Sequence, residues 1–140
     1  MKQRHSYTKL YYHVVMPTKN RAHLITDAEA EAFLYACFKR KAHELDSWID
    51  TFGCWYDHIH VLIRTNPNLA LSQLYGQLKG FSTWMWHGQW PDKPFALADG
   101  VFAATVDPFH CDPLRHYIQN QKHHHSINAL VPNWEPDASS

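Results

Sequence analysis

His58 and His60 flank a single isoleucine in the run Asp57-His58-Ile59-His60-Val61-Leu62-Ile63-Arg64. From Ile59 to Ile63 the run is rich in β-branched residues, which predicts a strand. Side chains alternate across a strand, so His58, His60, Leu62 and Arg64 share one face and Ile59, Val61 and Ile63 the other. Two imidazoles on one face of a rigid strand can be aimed at one metal ion. A chain with 12 histidines in 140 residues produces about one His-x-His triplet by chance, so the pair gains meaning only from its surroundings.

The elements that would position the pair can be read from spacing. Residues 8–16 read as a first strand, stopped by Pro17 and followed by a basic loop with Lys19 and Arg21. Charges in such a loop suit phosphate contact or a solvated turn equally. Thr26 and Glu29 have the form of a capping box, and Phe33, Leu34, Cys37, Phe38 and Leu45 recur at helical spacing, which predicts a helix over 27–45. Leu24-Ile25 is an apolar pair too short to assign as a strand. Trp48 to Tyr56 reads as a second strand with a bulge or tight bend at Gly53, and Asp57 turns the chain back into the histidine strand as a hairpin.

After Asn66-Pro67-Asn68, the residues Leu71, Leu74, Leu78, Phe81 and Met85 step by three and four, which marks an amphipathic helix with Gln73, Gln77, Lys79 and Ser82 on its other side. Trp84, Trp86 and Trp90 suit packing more than base stacking. Val101 to Val106 forms a short fourth strand, and Asp112-Pro113 is a helix start. The helix predicted over 113–125 carries Tyr117, Gln121 and His125 along one face. A single domain over 1–125 and an irregular tail over 126–140 result. The order β-α-β-β-α-β plus one helix is the α+β, ferredoxin-like pattern, an antiparallel sheet with two helices on one face. In it the histidine strand is central, its apolar row faces those helices, and the histidines lie on the opposite, open face within reach of the last helix.

Composition narrows the classes. With 45% hydrophobic and 14% aromatic residues the chain is globular rather than disordered. A formal net charge of zero excludes a polyanion binder held by bulk electrostatics, so a nucleic-acid role must rest on a local basic groove and stacking. Cys37, Cys54 and Cys111 include no Cys-x-x-Cys pair, which argues against a disulfide framework and for a reducing cytoplasm. Neither a signal peptide nor a membrane span is evident, so a cytoplasmic protein with no membrane partner is expected.

Four segments in order carry a resemblance over roughly residues 7–125: Tyr12-His13-Val14-Val15-Met16-Pro17-Thr18-Lys19, His58-Ile59-His60 with its apolar continuation, Gln77-Leu78-Lys79-Gly80-Phe81-Ser82, and Tyr117-Ile118-Gln119-Asn120-Gln121. Together they resemble the single-tyrosine HUH transposases of bacterial insertion sequences and the related REP-associated tyrosine transposases. Trp55-Tyr56 stands before Asp57 where relatives often have Met-Pro, and the tail is short and proline-containing.

The resemblance implies cleavage and rejoining of single-stranded DNA, with Tyr117 attacking a phosphodiester to give a 5′-phosphotyrosyl link and a free 3′ hydroxyl. By resemblance, His58, His60 and Gln121 would hold Mg2+ or Mn2+, although imidazoles by type alone favour zinc. His123, His124 and His125 are a rival cluster, read as surface residues. Lys19, Arg21, Arg64 and Lys79 are candidate DNA contacts. Implied partners are single-stranded DNA with hairpin ends and a second copy of the chain, in a homodimer whose tyrosine helix completes the other subunit's histidine pair. The alternative is a non-catalytic single-stranded nucleic-acid-binding module of the same fold, although the sequence lacks a clear aromatic RNP-type strand. A nuclease of replication or plasmid mobilisation would share the HUH chemistry.

Overall fold

In the computed structural model, which describes residues 6–120 and Glu135, apolar alternation and turn residues divide the chain as expected. The order is β1 (Tyr11–Pro17), a 3-10 turn (Lys19–Arg21), α1 (Ala28–Glu44), β2 (Trp48–Trp55), β3 (His58–Arg64), α2 (Leu71–Gln89), β4 (Phe102–Val106), a second 3-10 turn (Pro108–His110) and α3 (Cys111–Gln119). The strands form one antiparallel sheet in the order β2-β3-β1-β4. This is the ferredoxin-like topology, with β3 inside it.

Two helix starts differ from the expected ones. The cap of α1 is Asp27, one residue past Thr26, and its carboxylate accepts from the Ala30 N–H at 2.7 Å. A carboxylate there also meets the positive end of the helix dipole, which a threonine hydroxyl cannot do as well. Asp112 does not cap α3. Asp107 accepts from the Phe109 N–H at 2.8 Å to open the preceding 3-10 turn, while Asp112 pairs with Arg115 at 2.6 Å. Pro113 falls in the first turn of α3, where its missing N–H costs nothing. The expected continuation of this helix through residue 125 lies outside the described residues. Leu24 and Ile25 form no strand; both N–H groups donate to the Tyr56 carbonyl, at 3.0 and 3.1 Å.

Period-two alternation in β3 splits the core. Ile59, Val61 and Ile63 lie with Leu34 and Phe38 of α1 and Leu74, Leu78 and Trp86 of α2 in the main hydrophobic cluster. Of the three tryptophans, Trp86 is buried, Trp90 packs against the cluster and Trp84 is exposed. On the opposite face, Leu62 joins Cys111, Leu114 and Ile118 of α3 in a smaller cluster. The face expected to be open is therefore covered by the last helix.

Two features of β2 allow α3 to sit there. The β-bulge lies at Asp50, between the pairs Ile49–Ile63 and Thr51–Leu62, and not at Gly53. Asp50 receives the Arg115 guanidinium through two parallel bonds, Nε–Oδ1 at 2.7 Å and NH2–Oδ2 at 2.8 Å. Gly53 is a site of close approach: a Cβ there would collide with the Ile118 carbonyl oxygen and lie 3.0 Å from its Cγ2. Glycine is required because the α3 backbone rests on it.

Two outcomes are expected. Gly53→Ala should lower stability by about 1–3 kcal/mol and raise amide exchange selectively in α3, whereas Gly76→Ala and Gly80→Ala, whose added methyls meet open space on α2, should be neutral or stabilising. Uniform exchange in the Gly53 variant would rule out this contact as the docking point. The second concerns acid. Burial alone would raise the Asp50 pKa, but hydrogen bonds from Arg115 and Thr51 outweigh it and hold the carboxyl below its ordinary range. The pair's stability is then fully present above the ordinary aspartate pKa of about 3.9 and is lost as pH falls through the lower folded value. Asp50→Asn should cost about 1 kcal/mol at pH 7 for this partly exposed pair, with the gap from the parent closing in urea titrations as pH drops below about 4.

Candidate active site

The two imidazoles begin and continue β3, and both are fully buried at 0% exposure. A ring so placed must satisfy its nitrogens from within the protein. For His58 the Nδ1 lies 2.6 Å from Asp57 Oδ1, and for His60 the Nδ1 lies 2.9 Å from His13 Nε2. Each contact directs the opposite nitrogen, Nε2, away from the strand. Both Nε2 atoms meet the same carboxylate oxygen, Glu135 Oε1, at 3.2 Å from His58 and 3.3 Å from His60. For His58 this is an attraction of charge more than a well-directed hydrogen bond. The other oxygen, Oε2, accepts a hydrogen bond from the Tyr117 hydroxyl.

Local sequence explains each position. Asp57 lies in the β2–β3 turn, where its backbone carbonyl accepts from the Thr18 N–H at 2.8 Å and its Oδ2 from Arg21 Nε at 3.2 Å. Arg21 reaches it from a left-handed backbone position, φ 54°, after Asn20 at 58°. Two successive non-glycine residues in this region carry strain that the surrounding contacts offset. His13 pairs across from Leu62 in the β1–β3 register, on the face shared with His60. Tyr117 projects from α3 with its ring 6.1 Å from that of His60 and nearly perpendicular to it.

Electrostatics follow from these contacts. Burial works against a charged His58, but the Asp57 and Glu135 carboxylates outweigh it and raise its pKa. Burial would also raise Asp57, yet His58 and Arg21 hold it at about 2. Burial, reinforced by His60, lowers His13 to about 3, so this ring stays neutral. In the tautomer where the neutral His13 accepts at Nε2, His60 carries its proton on Nδ1. With Nδ1–H on both rings, each Nε2 lone pair would be available to a metal.

The donor atoms of His58, His60 and Glu135 lie within 4.8 Å of one another. Ligand atoms at right angles around an ion with bonds of about 2.1 Å stand about 3.0 Å apart, close to the nitrogen–oxygen distances here. Two imidazoles and a carboxylate therefore fit a divalent cation. Protonation of His58 and metal binding are competing ways of satisfying one carboxylate.

The structure brings His58, His60 and Tyr117 together. Gln121 and the cluster His123, His124 and His125 lie outside the described residues. Lys19 is exposed, in the same loop as Arg21. Arg64 is at the far end of β3, where its guanidinium lies 4.9 Å from the Trp48 ring centre and 5.5 Å from that of Tyr7 and donates to the Thr8 carbonyl at 2.6 Å. Lys79 belongs to α2, on the other face of the sheet, and donates to the Asp99 carbonyl at 2.9 Å. His13, Asp57 and Glu135 were not singled out from the sequence. Strand parity could have found His13, and adjacency to His58 could have found Asp57. Glu135, distant in the chain, has no local signal.

The family described as "Transposase IS200 like" matches residues 6–121. Among solved structures, one from Deinococcus radiodurans R1, provisionally described as a transposase, superposes with a TM-score of 0.69 at 23% identity, covering 86% of this chain and 97% of that one. A REP-associated tyrosine transposase bound to a REP hairpin superposes with a TM-score of 0.60 at 12% identity, covering 100% of this chain and 93% of the other. At these identities the two structures show the fold. No curated protein matches.

Removing the acceptor behind His60 should weaken the site without unfolding it. His13→Phe is expected to lower Mn2+ affinity about 10- to 100-fold, measured by calorimetric titration, with the far-ultraviolet circular dichroism of the parent. Unchanged affinity would show that His60 is oriented without His13.

Proposed function

Because the chain belongs to the IS200-like transposases, we propose that it cuts and rejoins single-stranded DNA through a 5′-phosphotyrosine formed on Tyr117. The observation that carries this reading is the convergence of the Tyr117 hydroxyl and both Nε2 atoms on one carboxylate. A nucleophile and a metal-type donor set one side chain apart are what phosphoryl transfer at an unactivated phosphodiester needs.

The scissile phosphate is presented to the Tyr117 hydroxyl. The Tyr117 oxygen bonds to phosphorus as its proton departs. The phosphorus–O3′ bond breaks, and its electron pair leaves on the 3′ oxygen, which takes a proton from water. Attack by a 3′ hydroxyl on the phosphotyrosine reverses the step and rejoins a strand. Near-complete burial of Tyr117, 3% exposed, limits hydrolysis of the intermediate by bulk water. When bound, a divalent ion, Mg2+ or Mn2+ by family resemblance, supplies Lewis-acid polarisation of the phosphate and stabilises the leaving oxygen. His58 and His60 would hold it, Asp57 and His13 orient them, and Gln121 would be a further ligand by resemblance. Exposed Lys19, in the loop after β1, is a candidate phosphate contact; Arg21 serves Asp57 as well.

The DNA partner proposed is a single strand with hairpin ends. A homodimer is part of the same proposal. Tyr117 here meets its own chain's histidine pair, which supports cleavage within one subunit. Mixing His60→Ala with Tyr117→Phe subunits reads the arrangement: no adduct is expected from independent sites, and rescue would show exchange of the tyrosine helix.

The direct test is a denaturing gel of the protein with labelled single-stranded hairpin DNA from its own locus. A covalent band that requires Mg2+ or Mn2+ and falls to background in Tyr117→Phe is expected. Binding with no adduct at full metal occupancy would leave a non-catalytic nucleic-acid-binding module.

A further inference from the structure

The two oxygens of Glu135 face the two halves of the site. Oε1 stands 3.2 and 3.3 Å from the metal-binding nitrogens, and Oε2 accepts from the nucleophile. The side chain is 9% exposed, so its charge is expressed against these partners with little screening. We propose that Glu135 is a catalytic residue with two simultaneous tasks, a third protein ligand to the divalent ion through Oε1 and the acceptor of the Tyr117 proton through Oε2. This inference rests on the phosphotyrosine reading above.

Both tasks call for a carboxylate. A hard divalent ion gains more from an anionic oxygen than from a neutral amide such as that of Gln121. An amide also cannot take a proton, whereas a phenol with an ordinary pKa near 10 must lose one to form a phosphodiester. As the Tyr117 oxygen bonds to phosphorus its O–H bond breaks, and the proton passes to Oε2 along the existing hydrogen bond. Carboxylate and phenol are mismatched in the ground state, but the phenol becomes strongly acidic as its oxygen bonds to phosphorus, so transfer belongs late in the step. In the rejoining direction the Glu135 carboxylic acid returns the proton to the departing tyrosine oxygen. One side chain thus serves cleavage as base and rejoining as acid, with no net proton change on the protein over the cycle. The shared carboxylate also fixes the distance between ion and nucleophile, which a ligand from a separate residue would leave to α3 alone.

The test uses the full chain and four variants: Glu135→Gln, which keeps the shape, Glu135→Ala, Gln121→Ala and Tyr117→Phe. Mn2+ affinity is measured by paramagnetic resonance without DNA, and single-turnover adduct formation is followed against pH at saturating Mn2+. Glu135→Gln should bind Mn2+ at least about tenfold more weakly. At saturation it should form adduct about a hundredfold more slowly, with a rate that climbs with pH as hydroxide substitutes for the missing acceptor. Parent-like Mn2+ affinity in Glu135→Gln, with the loss appearing in Gln121→Ala, would overturn the ligand role. Faster adduct formation in Glu135→Ala would mean that the carboxylate occupies the place of the phosphate, and would overturn the proposal. The function reading fails separately: it falls if the parent forms no adduct on bound DNA or if Tyr117→Phe still forms one, and the Mn2+ titration then still decides whether Glu135 is a ligand.

Discussion

Two imidazoles buried without access to water set the condition that the rest of the structure meets. A buried polar nitrogen left without a partner costs on the order of 1–3 kcal/mol, and His58 and His60 bring four such atoms to the middle of the molecule. The β2–β3 turn supplies Asp57, β1 supplies His13, and Glu135 answers both outer nitrogens. The loop after β1 is shaped by the same demand. Its left-handed residues bring Arg21 onto Asp57, and Thr18 fixes the Asp57 backbone. Strain there is the local cost of a carboxylate held ionised and aimed at an imidazole.

The sheet separates stability from chemistry by its alternation. One face of β3 is welded to α1 and α2 through the large cluster that includes Ile59, Val61 and Ile63. The other face carries polar rings and only one apolar residue of β3, Leu62, for α3 to rest on. A helix with so small an apolar footing needs other anchors. The bulge that turns Asp50 toward Arg115 and the glycine that admits the Ile118 carbonyl provide them. Both lie on β2, so this edge strand acts as the mount for Tyr117 while β3 mounts the two histidines. The geometry between Tyr117 and the histidines is accordingly a property of how two adjacent strands pair.

Glu135 adds a constraint of another kind. Its carboxylate touches both strand-borne rings and the helix-borne hydroxyl, so the separation of the imidazoles from the Tyr117 hydroxyl is gauged by a single side chain.

Sequence alone determined the element order, the ferredoxin-like pattern and the two faces of β3, with His58 and His60 on one of them, because strand and helix periods are local and a two-residue spacing sets a shared face; Tyr117 was a candidate by family resemblance. It offered a bulge or tight bend at Gly53 and put the histidine face within reach of the last helix, but neither the register shift at Asp50 nor the depth at which α3 covers that face has a local signature. Asp27 took the cap expected of Thr26, and α3 starts at Cys111 straight after the 3-10 turn that Asp107 caps, with no side-chain cap of its own, because a cap is decided by where the backbone turns. Partners distant in the chain were decided only by tertiary structure. His13 on β1 faces His60 through sheet pairing, Arg21 meets Asp57 through a strained loop, Arg115 meets Asp50 across a bulge, and Glu135 reaches three residues with which it shares no sequence spacing. The physical reason is that periodicity specifies the direction in which a side chain points, while only the packed chain specifies what it meets there.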